Sequence, residues 1–298
     1  MGLRGVGGAG SDRAYDRWVT IVNACLRDGH GGSPTVVLDE TPMTDAERRR
    51  LPGHFGTSHV VFVDGTTLRF FTAAGELPAC GHGTVAALAL LARRAGNPDN
   101  EITLTVGDRS FRGHTVREGD HIRATFDPGP VTVRPATSEE SGPIMAALGI
   151  QPAVADAVAR GGSAHLAAHD GPEALAHVAT LGRPRVLIPV ADRASVERLA
   201  PDQGDLRVAC DRLGLLGAFV YSPPDEDGRV AARMFAPSIG VPEDIANANS
   251  TACLAAALGR PILADMGDAL GHAATIAAGP AADGRLLVGG VAMVTMVG

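Results

Sequence analysis

The residues able to do chemistry fall in three short stretches. ELPACGHGTVAALALLARRAG sets Cys80 and His82 on either side of Gly81, with Gly83 and Thr84 just behind. PEDIANANSTACLAAALGR offers Asp244, Asn247, Asn249, Ser250 and Thr251 in the same position before a like alanine–leucine run. The third, GTSHVVFV, places His59 at the entry to a β-branched run. Imidazole, thiol and carboxylate groups take and give protons close to neutral pH. Amides and hydroxyls bind a substrate through hydrogen bonds but are not bases. The set combines groups able to carry protons with groups able to hold a small anionic metabolite.

The alanine–leucine runs must position these groups. A helix apolar nearly all round is buried in a core rather than laid on a surface. Its N-terminus carries unpaired N–H groups and the positive end of the dipole, a ready place for a carboxylate or phosphate. Laid over one another without gaps, the two stretches match Glu76 with Glu243, Ala79 with Ala246, Cys80 with Asn247, His82 with Asn249 and Thr84 with Thr251. An Arg-aromatic strand precedes each, RFFTA and RMFAP. The repetition predicts a duplicated α/β unit, with both helix mouths aimed at one cleft. The expected anion site is the backbone around Gly81–Gly83 and Asn249–Thr251, and Gly83→Val is expected to weaken binding with the fold largely intact.

The rest of the chain alternates strands and helices. DRWVTIVNACL and SPTVVLD read as strands, and TDAERRRLPGHFG as one short helix opened by a Thr44–Glu47 capping box. Asp64-Gly65 marks a hairpin, and Gly107-Asp108 and Glu118–Asp120 mark two further turns. PRVLIPV, LGAFVYSPP and GRVAARMFAPS read as strands, and the segment between the first two as one or two helices. A flexible arm is expected over residues 1–14, one domain over 15–129 and a second over 130–284. The strand at 285–298 is expected to return to complete the first domain.

Composition narrows the partners. The chain has 298 residues, 45% hydrophobic and 20% charged, with a net charge of -7. That balance disfavours nucleic acid and anionic membranes, which select basic patches. Apolar stretches stop short of the roughly 18 residues a membrane span needs, and a cytoplasmic location is expected. The four cysteines, Cys25, Cys80, Cys210 and Cys253, form no C-x-x-C pair and have no histidine at zinc spacing, so neither a metal nor a disulfide is expected.

ELPACGHGTVAA, GTSHVVFV, GGSPTVVL, RMFAPSIGVPED and GRPRVLIPVADRASVERLAPDQGDLRVAC resemble the phenazine-biosynthesis isomerase (PhzF-like) family, which shares its fold with diaminopimelate epimerase. The resemblance implies an α/β (α+β) fold of two pseudo-symmetric domains, each a mixed sheet or barrel around a central buried helix. It implies a homodimer acting on a small anionic metabolite, with no cofactor and no metal. It also implies catalytic roles for His82 and Asp244, and places His59 where the family has its glutamate. Asn249 stands where the family has a serine. Asn247 stands where epimerases of this fold have their second cysteine, which speaks against a two-thiol racemase. Cys80, Gly81, Gly83, Thr84, Asn247, Asn249, Ser250 and Thr251 are then expected to bind substrate.

Three functions stay open at this point. One is an isomerase that moves a proton and double bond in an unsaturated acid, such as a 4-alkylproline precursor of antibiotic biosynthesis. Another is an epimerase or racemase of a proline-like acid, using His59 with Cys80. The third is a non-catalytic metabolite-binding relative.

Overall fold

A computed structural model describes residues 19–97, 99–150 and 176–296; the expected arm at 1–14 lies outside them. Both alanine–leucine runs are helices, Gly81–Arg94 and Ala248–Leu258, and in the first all but Leu91, Arg93 and Arg94 are buried. Burial of large side chains such as Leu88 and Leu90 contributes about 1.5–3 kcal/mol each. Arg93 and Arg94 close the first helix, where cations suit the dipole. Gly259, in left-handed conformation, ends the second.

The strands of the first half are β1 Val19–Leu26, β2 Ser33–Asp39, β3 Val60–Asp64, β4 Thr67–Phe71, β5 Glu76–Leu77, β6 Asn100–Val106, β7 Arg109–Glu118 and β8 His121–Phe126. Those of the second are β9 Thr132–Pro135, β10 His177–Leu181, β11 Arg183–Pro189, β12 Ala218–Tyr221, β13 Arg229–Ala236, β14 Val241–Asp244, β15 Ile262–Met266, β16 Ala274–Pro280 and β17 Leu286–Met296. Pairing runs β1–β2–β3–β4–β6–β7–β8–β17 and back to β1, a closed circuit around the first buried helix. A second run, β9–β10–β11–β12–β13–β15–β16–β17, curves around the second helix. β17 belongs to both, pairing with β16 through Leu286–Gly289 and with β1 through Val291–Met296. Where three strands converge there is no room for a side chain: a Cβ on Gly289 would lie 2.0 Å from the Ala124 carbonyl oxygen.

Several local expectations hold. The hairpin through Asp64-Gly65 joins β3 to β4, and Thr44 and Glu47 form a reciprocal capping box. The single helix expected after Thr44 is two, Asp45–Arg48 and Leu51–Phe55. Pro52 explains the break, since it lacks an N–H for a continuous helix and is tolerated only in a first turn.

The two buried helices begin against each other. A Cβ on Gly81 would lie 2.4 Å from the Ala248 Cβ and 3.3 Å from the Asn249 nitrogen. Gly81→Ala is therefore expected to cost about 1–3 kcal/mol through overpacking. Adding Ala248→Gly should recover part of that loss; urea unfolding of the single and double variants measures both.

Candidate active site

The cleft at this junction has a volume of about 260 Å³. His59 reaches it from the residue before β3, where Thr57 Oγ1 donates to the His59 carbonyl at 3.0 Å and fixes the strand entry. Cys80 is the N-cap of the first helix and makes no side-chain cap bond, and His82 follows in the first turn. Asp244 closes β14, and Asn247 is the N-cap of the second helix.

The same bracing leads into both helix mouths. Arg69 lies over Phe71 at 5.0 Å and grips Glu76 through two bonds of 2.8 and 2.7 Å. Arg233 lies over Phe235 at 4.9 Å and grips Glu243 through bonds of 2.9 and 2.7 Å. Bidentate pairs of this kind fix direction as well as distance. Glu76 and Glu243 are thus tied up in positioning the loops.

His59 and His82 are 4% and 3% exposed, with ring centroids 4.6 Å apart and planes at 77°. His82 Nδ1 donates to the Ala246 carbonyl at 2.9 Å, a bond that crosses from one half to the other. Its Nε2 lies 3.6 Å from Cys80 Sγ. His59 Nδ1 bonds Ser58 Oγ at 2.7 Å. Asn247 donates Nδ2 to Asp244 Oδ2 and accepts from the Ser250 N–H, both at 2.9 Å. Asp244 Oδ1 is buried without a partner among the described residues.

The two imidazoles are driven apart in basicity. Burial lowers the pKa of His59 well below 6.5, and the charge on His82 lowers it further. For His82 burial acts downward too, but Cys80, Asp244 and the Ala246 carbonyl outweigh it and raise the pKa to about 9. Burial raises Asp244, against the opposing pull of His82 and Asn247. One neutral and one cationic imidazole in contact is the pattern of a base beside an acid.

Cys80, Gly81, Asn247 and Asn249 line the cleft with the two histidines and Asp244; Gly83, Thr84, Ser250 and Thr251 do not. Helical rotation carries these four away from the mouth. Thr84 Oγ1 donates to the Cys80 carbonyl at 2.8 Å and Thr251 Oγ1 to that of Asn247 at 3.0 Å. Ser250 Oγ donates to Met234 Sδ and accepts from Arg185. The sequence reading also missed Arg185, which lines the cleft although only 1% exposed. The signal was an arginine inside the otherwise apolar strand PRVLIPV.

His59, Cys80 and His82 offer ligand atoms within 4.8 Å of one another, the one such trio among the described residues. A metal there would have to displace the proton that His82 holds up to about pH 9. The described residues contain no helix long and apolar enough to cross a membrane.

Residues 27–283 match the family model described as phenazine biosynthesis-like protein, PhzC-PhzF. The chain belongs to this family, and it is an enzyme of the isomerase class. It is 26% identical over 226 residues to the uncharacterized isomerase YddE of Escherichia coli strain K12, covering 74% of this chain and 71% of that one. With an uncharacterized isomerase of Deinococcus radiodurans the identity is 29% over 254 residues, 81% and 76% of the two chains. The fold superposes on a predicted epimerase from Pseudomonas aeruginosa with a TM-score of 0.73 at 25% identity, covering 94% of this chain and 97% of that one. On the Bacillus anthracis PhzF-family protein the TM-score is 0.71 at 16% identity, with 93% and 96% covered.

Two expectations follow. A Cβ on Gly83 would stand 3.0 Å from Val61 Cγ2 and 3.1 Å from Phe70 Cδ1. Gly83→Val should therefore destabilise the first core by about 1–3 kcal/mol, contrary to the sequence expectation, as urea unfolding will show. In NMR titrations His82 should lose its proton near pH 9, while His59 stays neutral well below 6.5. Because the folded-state value of His82 is raised, the stability it contributes is complete below pH 6.5 and is lost as pH rises through about 9.

Proposed function

We propose that this enzyme shifts a proton, and with it a double bond, within a small unsaturated carboxylic acid. The observation that carries the proposal is the contact between a neutral and a cationic imidazole in a buried cleft at two helix N-termini. With its Nδ1 hydrogen donated to Ser58 Oγ, His59 has Nε2 left as a base. It takes a proton from an sp³ carbon adjacent to the conjugated system. The C–H electron pair moves into the π-system, giving a dienolate. His59 then returns the proton to a different carbon, and the product is an isomer of the substrate. The helix mouths and the His82 cation stabilise the negative charge while it exists. Asp244, its Oδ1 unpaired among the described residues, lines the cleft as a further hydrogen-bonding group for the substrate.

The finer reading assigns the substrate to bacterial specialised metabolism, as an unsaturated ring acid on the route to a 4-alkylproline in antibiotic biosynthesis. Asn247 supports isomerisation over a two-thiol racemisation, because its amide caps a helix and holds Asp244. A second reading rests on Cys80 Sγ at 3.6 Å from His82 Nε2. That thiol and His59 would then work on one carbon as an epimerase pair.

Incubation with candidate ring acids in heavy water tests the proposal: the double bond should move, and deuterium should enter the newly protonated carbon to the extent that His59 exchanges its proton with solvent before returning it. Chiral chromatography showing only inversion at one carbon would favour the epimerase. His59→Ala should lower turnover by about 10²-fold or more, the scale for a lost general base. His59→Glu should keep substantial activity, and Cys80→Ser should cost far less than His59→Ala. The rate should fall above about pH 9 as His82 loses its proton, and His82→Gln should abolish that alkaline limb.

A further inference from the structure

Arg185 is the largest fully buried side chain of the described residues, and no carboxylate among them pairs with it. A guanidinium has five N–H donors. Three are used: Nη2 donates to the Leu181 and Arg183 carbonyls, each at 2.8 Å, and Nη1 donates to Ser250 Oγ at 3.2 Å. Among the described residues one Nη1 hydrogen has no acceptor, and neither has buried Nε. A buried cation lacking a counter-ion is costly unless something compensates it.

The surroundings add to the imbalance. Arg185 lines the cleft beside exposed Arg183, and its bond to Ser250 holds it at the first turn of the second helix. His82 adds a third cation at the first helix. Of the acids lining the cleft, Glu76 is held by Arg69 and Asp244 lies with Asn247 and His82 at the junction, and neither bonds Arg185. The cleft therefore has positive charge in two places, one at His82 and the first helix mouth, the other at Arg183, Arg185 and the second helix. One carboxylate balances only the first.

We propose that Arg185, with Arg183 at the rim, is a second carboxylate subsite, and that the substrate is an unsaturated dicarboxylate. This rests on the isomerase reading above, in which the negative charge of the reacting end is stabilised at His82 and the helix mouths. Arg185 touches the far end of the substrate and selects for it; the proton transfer takes place at His59.

Two probes separate the sites: trans-glutaconate, an unsaturated five-carbon dicarboxylate, and trans-2-pentenoate, which has a methyl group in place of the second carboxylate. Calorimetry on the wild-type protein should show glutaconate bound at least about tenfold more tightly, the scale of one charge-assisted bond. Arg185→Gln removes the charge but keeps a donor for the turn carbonyls, and Arg185→Met removes both. In each variant the preference should vanish, while pentenoate affinity stays within about twofold of wild type, which also reports an intact fold. No preference in the wild type, or a preference surviving in both variants, overturns the subsite. Loss of both ligands together makes Arg185 part of a single carboxylate site or of the scaffold, and overturns the dicarboxylate assignment. Heavy-water exchange keeps this apart from the isomerase reading. Exchange into pentenoate that persists in Arg185→Gln leaves the chemistry standing whatever becomes of the subsite. Selective glutaconate binding with neither exchange nor double-bond movement in pentenoate in the wild type removes the chemistry and keeps the subsite.

Discussion

Two buried helices meet end to end, Gly81 against Ala248, and everything at the cleft follows from that contact. Helix N-termini carry like partial charges, so pressing them together is unfavourable unless negative charge or acceptors lie close by. The protein supplies only part of what is needed: the Ala246 carbonyl to His82, and Asp244 beside Asn247. The remainder is available to an anion. A site held short of negative charge in this way is suited to stabilising charge that builds up on a bound anion.

The same shortage sets the protonation states. His59 and His82 share a burial environment and still diverge, because His82 alone has acceptors on both sides, a carbonyl at Nδ1 and a thiol near Nε2. Burial lowers the pKa of His59, and the charge on His82 across 4.6 Å lowers it further. The loops leading into the two helix mouths fix this geometry. Those loops are clamped by the Arg69–Glu76 and Arg233–Glu243 pairs.

Much of the fold was legible because its signals are local. Unbroken alanine–leucine runs leave no polar face and so demand burial, and Asp64-Gly65 carries its own turn chemistry. The site was legible only in part. Cys80, His82, Asp244 and Asn247 sit at helix mouths that the runs announce. His59 lies in the loop that enters β3, and only family resemblance placed it at the site. Gly83, Thr84, Ser250 and Thr251 were assigned to the cleft by proximity in sequence, but each further step along a helix turns a side chain by about 100°. Arg185 was missed for a different reason. A strand assignment says which residues alternate, not which face meets a helix from the other half of the chain, and that depends on contacts such as Arg185 with Ser250.

β17 couples the two halves more tightly than the cleft does. The circuit around the first helix closes only when β17 lies between β1 and β8. A ribosome making this protein thus releases β1 to β8 long before the strand that seals them. Until residues 286–296 emerge, the edges of β1 and β8 are unpaired and the Ala/Leu helix between them is incompletely covered. Pairing across so much chain is slow, and open strand edges invite association with other chains. Holding one strand in common therefore makes the order of synthesis a hazard for the nascent protein, and gives a chaperone that shields strand edges a defined interval in which to act.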